Sequence, residues 1–314
     1  MNASGSTGDN LLSGGDGNDF LDLSGGYYSS SSSYSRSLGN NTLNGGAGND
    51  TLSAGGSTGD NLLSGGDGND SIDLSGYEYS YRYSSSNYDY RDSRSEGNNT
   101  LNGGAGDDSL SASGSTGDNL LSGGDGNDYL DISGYNNGFD YRSLGNNTLN
   151  GGAGDDSLSA SGSTGDNLLS GGDGNDYISA SSATGKNTLY GGNGNDILTG
   201  GNGNDTLYGG TGTDTFVFNS YHEGIDRLYD FNATNELIQV SAAGFGGGLS
   251  IGSLQKSQFT QGTSATTSNQ RFIYDFSTGG LFFDQDGSAA GFTQVKFAQL
   301  SAGLSLTKNN FMVV

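Results

Sequence analysis

The chain has 314 residues, of which 60 are glycine and none is proline, cysteine or tryptophan; with 30% hydrophobic content it cannot build an ordinary layered globule over its whole length. Its formal charge of −24 is concentrated, since residues 1–217 hold 28 acidic and six basic side chains while residues 218–314 hold seven and five. Such acidity excludes nucleic acid and anionic lipid as partners and attracts divalent cations, and the lack of cysteine excludes disulfide staples.

From residue 5 the chain falls into nonapeptides that begin at 5, 14, 36, 45, 56, 65, 94, 103, 114, 123, 142, 151, 162, 171, 182, 191, 200 and 209. Each has a glycine-rich hexapeptide and then a triplet with one large apolar residue at its centre. Glycine permits positive φ, and short Asn and Asp tolerate the left-handed region, so the hexapeptide is predicted to be a tight loop. The triplet is long enough for one short strand whose apolar side chain points inward. That eighth position is Leu, Ile or Phe in all eighteen units, from Leu12 to Phe216. A disordered Gly/Ser/Asn linker would have no reason to keep such a phase. Two units make one turn of a flattened coil, which gives about nine turns.

The sixth positions fall into two classes when units are taken alternately. One class is Asp19, Asp50, Asp70, Asp108, Asp128, Asp156, Asp176, Asp196 and Asp214; the other is Asn10, Asn41, Asn61, Asn99, Asn119, Asn147, Asn167 and Asn187, with Asp205 as its last member. Alternate units lie on opposite edges of the coil, so one edge should carry a column of carboxylates and the other a ladder of amides. Stacked turns bring each Asp near carbonyls of adjacent loops, an all-oxygen cage of the kind calcium prefers and zinc does not. Nine Asp loops leave eight gaps, hence about eight ions along one edge, while amides can bond from turn to turn without metal.

Every insertion follows an Asp unit and precedes an Asn unit, so all should leave the coil at one corner. Those at 54–55, 112–113, 160–161 and 180–181 are two residues long; those at 23–35, 74–93 and 132–141 are long and hold eleven of the 18 tyrosines. Tyr with Ser and Gly suits contact loops, and Tyr77, Tyr79, Tyr81 and Tyr83 would line one face of an extended ribbon. The expected partner is another copy, a glycan or a matrix, unless the loops fold back on the coil. At the start, the repeats begin at residue 5 without a visible cap, which would invite end-to-end stacking through an open strand edge.

After residue 217 the phase ends, and LIQV (237–240), RFIY (271–274), LFF (281–283) and TQVKF (293–297) predict a small β-rich module over 218–314 that covers the coil's end. No run approaches the ~18 apolar residues of a membrane span, and Met1-Asn2-Ala3-Ser4 lacks the basic and apolar parts of a signal peptide, so any export address lies elsewhere. Catalytic readings are poor. His222 is the single histidine, no cysteine can act as nucleophile, no helix follows the GxG segments, and Asp284 with Asp286 reads better as a DxDG turn, with room for an ion, than as a catalytic pair. An ice-binding coil would want a regular Thr-and-Asn loop array, whereas the third positions of the Asp units run Asp, Ala, Asp, Ala, Asp, Ala, Asp, Asn, Thr.

The strict GGxGxD units at 14, 45, 65, 103, 123, 151, 171, 191, 200 and 209 make the chain resemble RTX (repeats-in-toxin) proteins of bacteria. GIDRLYDF (224–231) resembles the segment after that family's last repeats, and residues 281–300 the hairpin before its export signal. The resemblance implies an all-β, right-handed parallel β-roll. It implies calcium held by the sixth-position Asp residues, Asp205 included, and by loop carbonyls at Gly15 and Gly17, Gly46 and Gly48, Gly66 and Gly68, Gly104 and Gly106, Gly124 and Gly126, Gly152 and Gly154, Gly172 and Gly174, and Gly192 and Gly194. It also implies an uncleaved C-terminal signal, here ending NNFMVV, read by type I secretion machinery. The expected protein is therefore a secreted, non-enzymatic calcium-binding surface or matrix component, extracellular or on the bacterial cell surface and open to end-to-end self-assembly. The alternative is a carrier module for an enzyme or toxin on another chain. One inward apolar residue in nine is too thin a core to balance backbone ordering, so the repeats are expected to fold only when calcium binds.

Overall fold

The computed structural model describes residues 1–24, 36–75, 94–134 and 142–314 in full, together with the backbone of short strands at Gly26–Tyr28, Ser33–Ser35, Glu78–Ser84 and Asn87–Asp92. The fold is a stacked parallel coil of two long sheets, as the repeats require. Among the described residues one sheet has fourteen strands and takes its repeat strands from the Asn units; the other has twelve and takes them from the Asp units. Registers place like on like, so that Leu12 lies beside Leu43 and Leu43 beside Leu63 in one sheet, and Leu21 beside Leu52 in the other. All eighteen eighth-position residues are buried in a single continuous core.

Three local features differ from the sequence expectation. Strands of the Asp units have the expected three residues, for example Phe20–Asp22, except the last, Thr215–Phe218, which has four, but those of the Asn units have six, for example Leu11–Asp16. The glycine pair opening the next loop stays in register with its neighbours, as Gly15 does with Gly46, and so prolongs the ladder. A second inward row also exists. Leu23, Leu74 and Ile132 open the long insertions, Ala54, Ala112, Ala160 and Ala180 the two-residue ones, and all are fully buried. Large and small residues thus alternate along much of this row, which fills the corner of the coil without overpacking. Finally, the first short strand is not open: Ala3 N–H donates to the Asp22 carbonyl (2.8 Å) and Asp22 N–H to that of Met1 (2.9 Å), so residues 1–3 cover its outer edge.

Of the long insertions, backbone pairing is described for two, in which Gly26–Tyr28 pairs antiparallel with Ser33–Ser35 and Glu78–Ser84 with Asn87–Asp92. The tyrosine faces expected there lie outside the described residues. Beyond the last nonapeptide, Asp226–Leu228 and Leu237–Val240 add one more parallel strand to each sheet. Strands up to Phe311–Val313 then continue both sheets in mixed orientation. Here leucine gives way to phenylalanine, with ring centroids of Phe218 and Phe297 5.1 Å apart and of Phe272 and Phe311 5.0 Å apart, and these rings cover the apolar end of the column.

Candidate metal centre

The hexapeptide loops put one Asp per turn on a single edge. Each Asp backbone N–H donates to Oδ1 of the Asp in the next turn, from Asp19 to Asp50 (2.7 Å) through Asp108 to Asp128 (2.8 Å) to Asp196 to Asp214 (3.0 Å). This ladder uses one carboxylate oxygen. The other, Oδ2, is buried and has no hydrogen-bond partner in Asp19, Asp50, Asp70, Asp108, Asp128, Asp156, Asp176, Asp196, Asp205 and Asp214. These are the ten aspartates singled out by the repeat pattern.

The glycines explain how the oxygens come so close. The second and fourth loop residues, Gly15 and Gly17 through Gly192 and Gly194, all have φ between +100° and +134°, a conformation in which a side chain is strained. The first glycine serves differently. A Cβ on Gly14 would collide with Oδ2 of Asp19 and lie 2.6 Å from the Gly45 carbonyl oxygen of the next turn, and Gly45, Gly103, Gly151 and Gly191 repeat that geometry. A methyl group would fill the place where carboxylate and carbonyl oxygens converge.

An oxygen stripped of water and given no donor requires a proton or a cation. Among the described residues no three His, Cys, Asp or Glu side chains converge, so a cation here would take roughly one carboxylate per turn and its remaining ligands from carbonyls. That donor set fits a hard ion accepting 6–8 oxygens, as calcium does.

The opposite edge contains the contrast. Asn61 Nδ2 donates both to the Gly59 carbonyl (2.7 Å) and to Asn99 Oδ1 (2.8 Å), and the pattern recurs from Asn10 to Asn167. Both amide hydrogens are used and no oxygen is stranded, so the ladder closes by itself. It ends where Asn187 donates to Oδ1 of Asp205 (2.7 Å from N, 3.1 Å from Nδ2). Asp205 N–H in turn donates to Oδ1 of Asp226 (3.0 Å), which is itself buried. This edge therefore carries one isolated carboxylate pair at its far end. The sequence reading missed Asp226, although Gly224-Ile225-Asp226 repeats Gly203-Asn204-Asp205 and would have shown it. It also missed the fifth-position ladders, in which Asn49 N–H donates to Asn18 Oδ1 (2.9 Å) and Asn40 N–H to Asp9 Oδ1 (2.8 Å), a role that the recurrent Asx at that position signals.

Burial, partly offset by the ladder bond from the preceding turn and reinforced by neighbouring carboxylates, raises Asp108, Asp156 and Asp196 to about 7 and Asp176 to about 6. Asp205 likewise rises to about 7, and burial beside Asp205 raises Asp226 well above the usual carboxylate range. The sign follows by linkage. Carboxyls protonated more readily when folded stabilise the metal-free coil fully below the unfolded value near 3.8, and that contribution is lost as pH rises through about 7. Metal-free protein should therefore show a melting transition at pH 4.5 that is lost by pH 8, while acidification through pH 7 should weaken calcium binding. Thermal melts in chelator and calcium titrations at both pH values check this, and a metal-free coil more stable at pH 8 would contradict it.

The other sequence candidates do not join this centre. His222 is exposed beside Tyr221, and Asp286 accepts from Gly291 N–H (2.9 Å) within a turn that Asp284 shares.

The RTX calcium-binding nonapeptide repeat profile matches residues 2–28, 37–58, 56–76, 111–131, 143–162, 159–183 and 181–216, more than half of the chain. No curated protein matches. Among solved structures the chain is similar to a subunit of the mannuronan C5-epimerase of Azotobacter vinelandii, at 25% identity over 52% of this chain and 80% of that one (TM-score 0.26). It is also similar to the extracellular lipase LipA of Serratia marcescens, at 15% identity over 89% of this chain but 45% of that one (TM-score 0.22). Repeats of the matched kind bind Ca²⁺. On its glycine loops, its stacked carboxylates and this match, the chain belongs to the family of RTX calcium-binding nonapeptide repeat proteins.

Proposed function

We propose that this is a secreted calcium-folded scaffold, non-enzymatic in itself, that serves as a structural or adhesive component outside a bacterial cell. The observation that carries the reading is the row of buried, unpartnered Oδ2 atoms. In this reading the ions lie between successive Asp loops, held by the aspartates and by carbonyls of the glycine pairs, with one further ion at Asp205 and Asp226. Calcium supplies charge neutralisation and cohesion; the chain's own residues supply register, through the Oδ1 ladder, and exclude water through the leucine column. Extracellular calcium modules bind at ~10⁻⁴ to 10⁻³ M, so the same chain would stay extended inside the cell, suited to type I export, and fold outside. Residues 218–314 would serve as end cap and carry the export signal, and the tyrosine-rich loops would supply contacts. Calorimetric calcium titration tests the reading. About eight ions for the column and one for the Asp205 pair are expected, by the count of gaps between loops, and binding of one or two ions only would reject it.

A further inference from the structure

The outward face of the fourteen-stranded sheet carries no charge in its seventh- and ninth-position rows over nine turns, from Leu11 and Ser13 to Thr206 and Tyr208, although the chain bears −24. The other sheet's outward rows include Asp22, Asp73 and Asp131. On the neutral face Leu and Thr alternate turn by turn as far as Thr188, and Leu62, Leu120 and Leu168 stand 46%, 44% and 40% exposed. Ser and Asn alternate beside them in step as far as Ser170, after which Tyr190 and Tyr208 complete the row.

We infer that two calcium-loaded copies pack these faces together about a two-fold axis. The axis would run along the strands, between Thr100–Ala105 and Leu120–Asp125. An axis there sets every odd turn of one copy over an even turn of the other, so Leu62 meets the partner copy at Thr148, Thr100 at Leu120 and Leu168 at Thr42. A longer side chain then sits over a shorter one in each pair, serine hydroxyls face asparagine amides over the six inner turns, and Ser13 meets Tyr190 at either end. The rims obey the same operation. Asp67 and Asp125 face Ala153 and Ala105, Asp60 faces Asn146, and Asp9 faces Lys186, the one lysine of the repeats. No aspartate of those rows meets an aspartate, although each rim is acidic on alternate turns. The alternation thus removes like-charge contacts and supplies knobs and holes at once, which an isologous interface requires of a single surface. Eight turns at ~4.8 Å and five residues at ~3.4 Å give a face of about 38 by 17 Å, so two copies would bury ~1,300 Å², within the ~1,200–2,000 Å² of stable interfaces. A periodic partner could match the two-turn repeat, but only a second copy also matches the acidic rims.

The inference presupposes the calcium-folded coil and is tested apart from it. In calcium, sedimentation at roughly 50 µM, where an interface of this size is populated, should give twice the 31.9 kDa of one chain. Leu62→Asp with Leu120→Asp should raise the dimer dissociation constant ~100-fold or more, whereas Ser71→Asp with Ser109→Asp, adding the same charge to the other sheet, should leave it unchanged. Circular dichroism follows folding separately, so a folded wild-type monomer would sink the interface alone. Should the aspartate variant fail to fold, mixing Leu62→Cys with Thr148→Cys chains should yield a disulfide-linked heterodimer that a Leu62→Cys with Thr42→Cys mixture does not. Equal cross-linking in both mixtures, masses growing beyond two copies, or retention on insoluble neutral polysaccharide by folded monomers would each overturn the proposal.

Discussion

Chelation of calcium should abolish the β-sheet circular dichroism of residues 1–217, and its return at ~10⁻⁴ to 10⁻³ M should restore it cooperatively. In each turn of the repeats the buried apolar contribution is two eighth-position residues and, in most turns, one Ala, Leu or Ile of the second row. Against it stand the ordering of some twenty backbone residues and a carboxylate whose Oδ2 has lost water without gaining a donor. At pH 8 these carboxyls are ionised and stacked one per turn, so desolvation and mutual repulsion act together on each added turn. A divalent ion shared between two loops reverses both at once, and because each turn contacts only its neighbours the effect propagates along the coil. The C-terminal strands should respond less, since their phenylalanine cluster is a core of ordinary kind. A spectrum unchanged by chelator at pH 8 would show that the coil stands without metal and would end this account.

Much of the architecture was legible because the repeat is a physical device written out many times. One apolar residue at a fixed phase can only mark a buried stripe, and the alternation of Asp19 with Asn41 and Asp50 with Asn61 distinguishes the two edges in the sequence itself. Where the device stops, spacing ceases to inform. Asp226 follows Asp205 by 21 residues rather than by the 18 or 20 that separate Asp196 from Asp214 and Asp176 from Asp196, so the nonapeptide count passes over it although its Gly-x-Asp triplet repeats that of Asp205, and the Asp205 N–H bond and strand pairing fix its place in the stack. Asp230, which accepts from Gly209 and Gly210 N–H (2.9 Å each), is bound by geometry that no repeat encodes. The buried Leu23, Leu74 and Ile132 were hidden because they belong to insertions, where the nonapeptide phase assigns no inward position. The six-residue strands were hidden because a glycine pair reads as loop, yet in a parallel stack identical glycines stay in register and pair.

Replacing the carboxylates at 50, 70, 108, 128, 156, 176 and 196 by asparagine should give a coil that folds without calcium and is indifferent to it. The two edges already differ by little more than this change. On both, the sixth-position N–H donates to Oδ1 of the next turn, at 2.7 Å from Asp50 to Asp70 and 3.0 Å from Asn61 to Asn99. On both, the residue two positions earlier is a glycine, whose carbonyl accepts a hydrogen bond from Nδ2 on the amide edge, as Gly59 does from Asn61 at 2.7 Å. An asparagine on the acidic edge therefore puts a donor where the stranded Oδ2 stands and meets acceptors already in place. Seven like charges vanish with it. Alanine at the same positions should act in the opposite sense, because it leaves the preceding turn's buried N–H unpaired, a loss of about 1–3 kcal/mol per turn, and offers a cation no carboxylate. The expected melts are clear: for wild type a transition present in calcium and absent in chelator at pH 8, for the asparagine column the same transition in both, for the alanine column none in either. An asparagine column that stayed unfolded without calcium would mean that the ions do more than satisfy and neutralise these seven oxygens, and that the amide edge persists only because the metal edge holds it in register.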